Sequence, residues 1–360
     1  MSRAAASTLA EVHTVRGDID SESLELEKLL AFICRESPRF RYLLAYVLRD
    51  CQTLSLVLYC DGLTPGNPMA HDNRRKSCIF YCSFLEFGSE WLAHEEVWLT
   101  IATQRTSSIK KQPGGLSSVT RNILRSLFIE QKVGSGIVVA AEHGERRVCV
   151  ALGAVLADEE ALNGMWHIKG AGGITPCGIM CSVVCRPSRA DREAGIRSLA
   201  ERSELIQDIS CSDVKRCGLR SDADVWSLAD DVAAAHGTPN LDELEQSTGI
   251  KYHPNALLFD RELRAHVKPS TVNRGDPMHI IFSNGILGFE IMLLLSACKQ
   301  HYGVYFEQLR DDLQAWSFPR LRGSSPADCF NEHRENSSGD FLKCGASELL
   351  GSNSPPRFSN

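Results

Sequence analysis

"LSLVLYCDGLTPGNPMAHDNRRK", residues 54–76, is an apolar run that stops at Asp61 and passes into a Pro/Gly/Asn turn. Its first half has the aliphatic and aromatic composition of a buried strand. Asp61 then admits two readings. An aspartate commonly starts a turn, because its carboxylate can bond the backbone two residues on. A carboxylate at a strand end is also a place where divalent ions are held for chemistry. One strand cannot decide between them, so the partners must come from elsewhere in the chain.

Upstream, residues 1–20 look like a loose leader, followed by two amphipathic helices around 22–35 and 39–50, separated by Pro38. Their apolar positions, among them Leu26, Leu29, Leu30 and Ile33, recur at helical spacing. Downstream, "CIFYCSFLEF" (78–87) and "VWLTIATQ" (97–104) repeat the strand composition, and 116–131 has a helical pattern. The stretch 136–158 forms a hairpin that turns at His143-Gly144 and ends at Asp158. Three strands, a helix and a further strand is the order of the ribonuclease H-like core, a mixed sheet covered by helices. The strand at 136–143 is extra to that order. From Asp191 the chain is mostly helical, with candidates at 191–206, 222–236, 240–248, 256–267, 278–300 and 303–316. The expectation is thus an α+β protein: a core with its N-terminal helices over 21–185, an α-helical insertion over 186–318, and a polar tail over 319–360. That tail holds one short helix candidate around 341–350 that could return to the core.

Two strands of this plan end on an acid, Asp61 and Asp158. In a ribonuclease H-like sheet the first and fourth core strands lie side by side, so the two carboxylates would converge. Hard divalent ions take oxygen ligands, and phosphoryl transfer by two ions needs such carboxylates. The alternative for each residue alone is a turn aspartate.

The chain has 360 residues, is 43% hydrophobic and 23% charged, and can bury a proper core. Its net charge of −6 argues against simple whole-chain attraction to nucleic acid. No run approaches the roughly 18 apolar residues of a membrane span, and the N-terminus lacks a secretory signal's apolar core. The 14 cysteines are scattered, so a reduced intracellular compartment is expected. Cys177, Cys181 and Cys185 form the one dense group, C-x3-C-x3-C, with His167 upstream; the choice is between zinc and a buried apolar cluster. A local excess of base stands out against the acidic whole. Arg105, Lys110, Lys111, Arg121, Arg125, Lys132, Arg146 and Arg147 face only Glu130, Glu142 and Glu145. With Arg74, Arg75 and Lys76 just after Asp61, these could track a phosphate backbone, or could be solvated helix faces. In "DPMHIIFSNGILGFEIMLLL" (276–295), Asp276 before Pro277 reads as a helix cap, His279 as a satisfied core histidine, and the apolar helix behind them as deeply buried.

The segments "LYCDGLTPGNP…RRK…FYCSFLEF", "LADEEALNGMWHIKGAGGITPC", "GIKYHPNALLFDRELR" and "DPMHIIFSNGILGFE" resemble the Plavaka-like branch of the Kyakuja–Dileera–Zisupton DDE transposases, over roughly residues 40–350. The resemblance implies a ribonuclease H-like core with a helical insertion, Mg²⁺- or Mn²⁺-dependent DNA cleavage and strand joining, and a nuclear site of action. By it, Asp61 is similar to the family's first catalytic acid and Asp158 to the second. Lys169, Gly170 and Cys177 match its Lys-Gly and Cys pattern, with the following Cys one residue late. The third acid of such enzymes follows the insertion, which favours Glu348 over Asp276. A non-catalytic DNA-binding or scaffolding derivative fits the same residues, as does an interaction domain. Homo-oligomerisation is open, and neither a membrane nor a small-molecule cofactor is expected.

Overall fold

The computed structural model describes residues 14–16, 22–63, 76–141, 144–179, 189–194, 219–277, 279, 281, 286–303 and 306–315. The chain divides into two units, Met1–Arg274 and Gly275–Asn360.

The first unit is built on the opening stretch. Thr53–Leu63 (β3) pairs antiparallel with Ser77–Phe84 (β4), in a register running from Leu56↔Phe84 to Leu63↔Ser77. Leu99–Arg105 (β5) continues the antiparallel run on β4. On the other side, Gly144–Ala157 (β7) lies parallel to β3, from Thr53↔Cys149 to Tyr59↔Leu156. Ile137–Ala141 (β6) forms a hairpin with the first half of β7. Thr14–Arg16 (β1) and Glu22–Leu24 (β2) extend the far edge, and Asn273–Gly275 (β8) pairs with β7 off the main path. The order is β1-β2-β5-β4-β3-β7-β6. The chain is therefore α+β with a mixed sheet, and part of the expected loose leader, Thr14–Arg16, is an edge strand.

The parallel pair contains one irregularity, between Leu56 and Val57, where Gly153 is the extra residue on β7. A Cβ there would stand 2.7 Å from the Cβ of Ser55, so only glycine lets the strands approach. Leu54, Leu56, Leu58 and Cys60 are buried on one face of β3. Each such side chain contributes about 1.5–3 kcal/mol by leaving water.

Leu26–Glu36 (α1) and Pro38–Val47 (α2) pack on each other and on β6. Ser37 sets the boundary between them: its Oγ accepts from the Phe40 N–H at 3.2 Å, and Pro38 takes the first helical position. Gly115–Arg125 (α3) runs on into a single π-helical stretch, Ser126–Glu130. It packs against Glu159–Trp166 (α4), a helix that the hairpin reading ended just short of.

Asp222–Ala234 (α5) opens with a reciprocal capping box between Ser221 and Asp224. Leu241–Thr248 (α6) closes on Gly249 in the left-handed conformation. Both belong to the same unit as the sheet. They are joined to it by the Ile168↔Ile250 bridge and by the Lys169 N–H donating to the Gly249 carbonyl at 2.8 Å. The expected helix at 256–267 is instead two 3₁₀ turns, Leu257–Phe259 and Leu263–Ala265. Asp260 between them accepts the N–H of Glu262 and Leu263 on its own carboxylate, which replaces the helical ladder. Of the expected helix at 191–206, Arg189–Glu193 is described and the rest lies outside the described residues.

In the second unit, Ile286–Tyr302 (α7) and Phe306–Ala315 (α8) correspond to the last two helix candidates. Deep burial of α7 does not hold, because Ile286, Leu293 and Leu294 are 61%, 47% and 62% exposed. An apolar surface all round a helix gives burial only where neighbours cover every side. Among the described residues no helix is long and apolar enough to cross a membrane.

Candidate functional site

The two acids fall at the same end of the parallel pair, although β3 does not stop at Asp61 but runs on to Leu63, and Asp158 lies just past the last residue of β7 as a helix cap. Tyr59 pairs with Leu156, and two residues beyond each come Asp61 and Asp158. Both carboxylates act on the buried thiol of Cys60. Its hydrogen-bonded contact with Cys78 and its burial raise it most, and Asp158 and Asp61 push it further the same way. Asp61 is exposed, and its Oδ1 accepts from the Gly62 N–H at 2.7 Å. Asp158 is half-buried and caps α4, its Oδ1 accepting from the Ala161 N–H at 2.6 Å. Its Oδ2 has no hydrogen-bond partner among the described residues.

Cations gather at this end of the sheet. A Cβ at Gly62 would lie 3.2 Å from Cε and 3.8 Å from Nζ of Lys76, so that side chain lies over this end of the strand on the face of Gly62, opposite to the face that Asp61 takes. The register Ser77↔Arg105 puts the last residue of β5 at the same end. The Thr106 N–H donates to the Lys76 carbonyl at 3.0 Å, anchoring the turn that carries exposed Lys110 and Lys111. Chain positions far apart in sequence thus share one rim.

An aromatic group stands one register step inside it. Tyr59 stacks on Tyr81 with centroids 6.0 Å apart, and Trp98 meets Tyr59 edge-on at 5.8 Å. Burial, and then the Asp61 charge, raise the Tyr81 hydroxyl above its ordinary value. Sequence reasoning missed these rings, although Tyr59 lies two residues before Asp61 and so on its face of the strand. It also missed the outer face of α2, where Arg41, Tyr42 and Tyr46 are exposed on a helix with no acidic residue. Beside them, Arg39 sits over the Trp91 ring and 3.4 Å from Glu96.

Two of the expected backbone-contacting residues are held inside the fold. Arg121 Nε and Arg125 Nη1 donate to Asp260 Oδ2 at 2.7 and 2.9 Å, and Arg125 Nη2 lies 2.6 Å from Glu262. Burial pushes the Asp260 carboxyl up, but the two guanidinium groups outweigh it and hold the group below its ordinary value.

Asp276 belongs to the second unit, where its Oδ2 lies 2.8 Å from Nδ1 of half-exposed His279. Glu348, Arg74, Arg75, Cys181 and Cys185 lie outside the described residues. Cys177 is half-buried. His167 closes α4 in the left-handed conformation with Nδ1 3.0 Å from the Lys251 carbonyl, and burial lowers its pKa. Among the described residues no three His, Cys, Asp or Glu side chains form a group able to hold a metal. No family model matches the chain, and no curated protein matches it in sequence.

Proposed function

We propose that this chain is a DDE transposase-like protein with a ribonuclease H-like core, cleaving and joining DNA strands by phosphoryl transfer at the rim formed by Asp61 and Asp158. The observation that carries the reading is the placement of both acids at the same end of adjacent parallel strands. The order β5-β4-β3-β7, three antiparallel strands and then a parallel one, supports it.

The two carboxylates are oxygen donors of the kind Mg²⁺ or Mn²⁺ takes, one near the end of β3 and the other at the helix cap that follows β7. Such ions supply activation of water or a DNA 3′-hydroxyl and neutralise charge on the leaving oxygen. Lys76, Lys110 and Lys111 would hold the phosphate backbone against the rim. A nuclear site of action follows from the DNA substrate. Zinc at Cys177 is not part of the proposal.

A second reading, a non-catalytic DNA-binding or scaffolding protein, is favoured by Asp158 committing one oxygen to a helix cap. Nicking of supercoiled plasmid in Mg²⁺ or Mn²⁺ separates the two. Asp61→Asn should abolish nicking while leaving the melting temperature unchanged, because the side chain is exposed and bonds only its neighbour's N–H. An unaltered nicking rate in Asp61→Asn removes the rim from catalysis.

A further inference from the structure

Cys60 on β3 and Cys78 on β4 bring their Sγ atoms to 2.8 Å of each other as free thiols. That is inside the distance at which unbonded sulfur atoms merely touch, and less than about 1 Å of movement reaches the disulfide length near 2.05 Å. The pair is diagonal across the antiparallel ladder: Cys60 is opposite Phe80 and Cys78 opposite Gly62, with Asp61↔Ile79 between them. Ladder pairs on both sides hold the two strands, and the thiols face the core, 2% and 9% exposed. The ladder fixes the two backbones, so the sulfurs can part only by turning about χ1 within a packed core, and each sees the other at a high effective concentration.

We propose that Cys60 and Cys78 are an oxidation site, closing to an intrachain disulfide that staples β3 to β4 behind Asp61. With a peroxide as oxidant, the sulfur of Cys78, the more exposed of the two, attacks one peroxide oxygen. The O–O bond breaks, and the departing hydroxide leaves as water with the thiol proton. The Cys60 sulfur then attacks the Cys78 sulfenic acid; the S–S bond forms, the S–O bond breaks, and a second water carries away the Cys60 proton. Two thiols lose two electrons in all, and one hydrogen peroxide becomes two waters. The inference stands on the strand geometry and does not depend on the DNA reading.

The test treats the full chain with hydrogen peroxide, alkylates it in denaturant and digests it with trypsin. Arg74, Arg75 and Lys76 lie between the two cysteines, so the link appears as a pair of joined peptides lighter by two hydrogens. The expected result is loss of alkylation at both positions together, reversed by reductant. Cys34, Cys51, Cys82 and Cys149 should keep their alkylation under the same dose. Full alkylation of both, separate oxidation to unlinked sulfinic acids, or links to other cysteines would each overturn the proposal. Cys78→Ala should leave Cys60 unlinked, and if that variant fails to fold, the wild-type peptide map alone decides.

Discussion

Asp158 has two oxygens and, on the proposed function, two tasks. Its Oδ1 takes the Ala161 N–H at 2.6 Å, and only Oδ2 is left for a cation. Substitution can separate the tasks, since asparagine caps a helix about as well as aspartate while alanine does not. Asp158→Asn should therefore keep wild-type stability in urea denaturation and lose nicking. Asp158→Ala should lose nicking and also about 1 kcal/mol of stability. If Asp158→Asn nicks at the wild-type rate, the residue is a cap and nothing more. The same residue shows what was hard to see in the sequence. Asp276 before Pro277 looks like a cap, and its Oδ2 lies 2.8 Å from His279 Nδ1. "DEEAL" looks like a strand end, yet it caps a helix that buries Leu162, Met165 and Trp166. The signal was present, an aspartate followed by two glutamates in a first turn, but the apolar run before it ends on an acid as a strand also can.

At the scale of elements, β3, β4, β5 and the β6–β7 hairpin were legible because their apolar residues are contiguous and their turns carry Gly, Pro or charge. The segment 256–267 was not, because its geometry depends on partners some 135 residues away in sequence. Asp260 is fixed by Arg121 and Arg125, and the Leu257 N–H donates to Ser117 Oγ at 2.9 Å, so α3 shapes this segment. This staple also changes what the two arginines can do. Asp260→Asn should lower unfolding stability by about 3 kcal/mol, because it leaves two partly buried guanidinium groups facing a neutral partner. The pH dependence has a definite sign. The folded-state pKa of Asp260 lies below its unfolded value near 3.9, so its stabilisation is present above that pH and is lost as pH falls through the folded value. Acid unfolding of the wild type should therefore be steeper below about pH 4 than that of Asp260→Asn. Equal acid profiles would show that the contact carries no net stability.

For the whole molecule, a net charge of −6 is a poor guide to what one end of the sheet presents. Lys76, Arg105, Lys110 and Lys111 meet there only because β4 begins where β5 ends. The two acids were legible as residues bounding apolar runs, whereas the rim itself needed the register, which no single segment carries. If DNA lies along this rim, its phosphates release counterions to the lysines that face them, and affinity falls with salt in proportion to the number of contacts. Removing Lys76, Lys110 and Lys111 together should reduce the slope of log affinity against log salt by about 2–3, taking roughly 0.7–0.9 per phosphate contact. Arg125→Ala should leave the slope unchanged, since that guanidinium is engaged by Asp260 and Glu262, while lowering stability. Fluorescence anisotropy of a labelled duplex across a salt series measures both. An unchanged slope in the triple lysine variant would move the backbone track elsewhere. The exposed Arg41, Tyr42 and Tyr46 of α2 would then be the next surface to test.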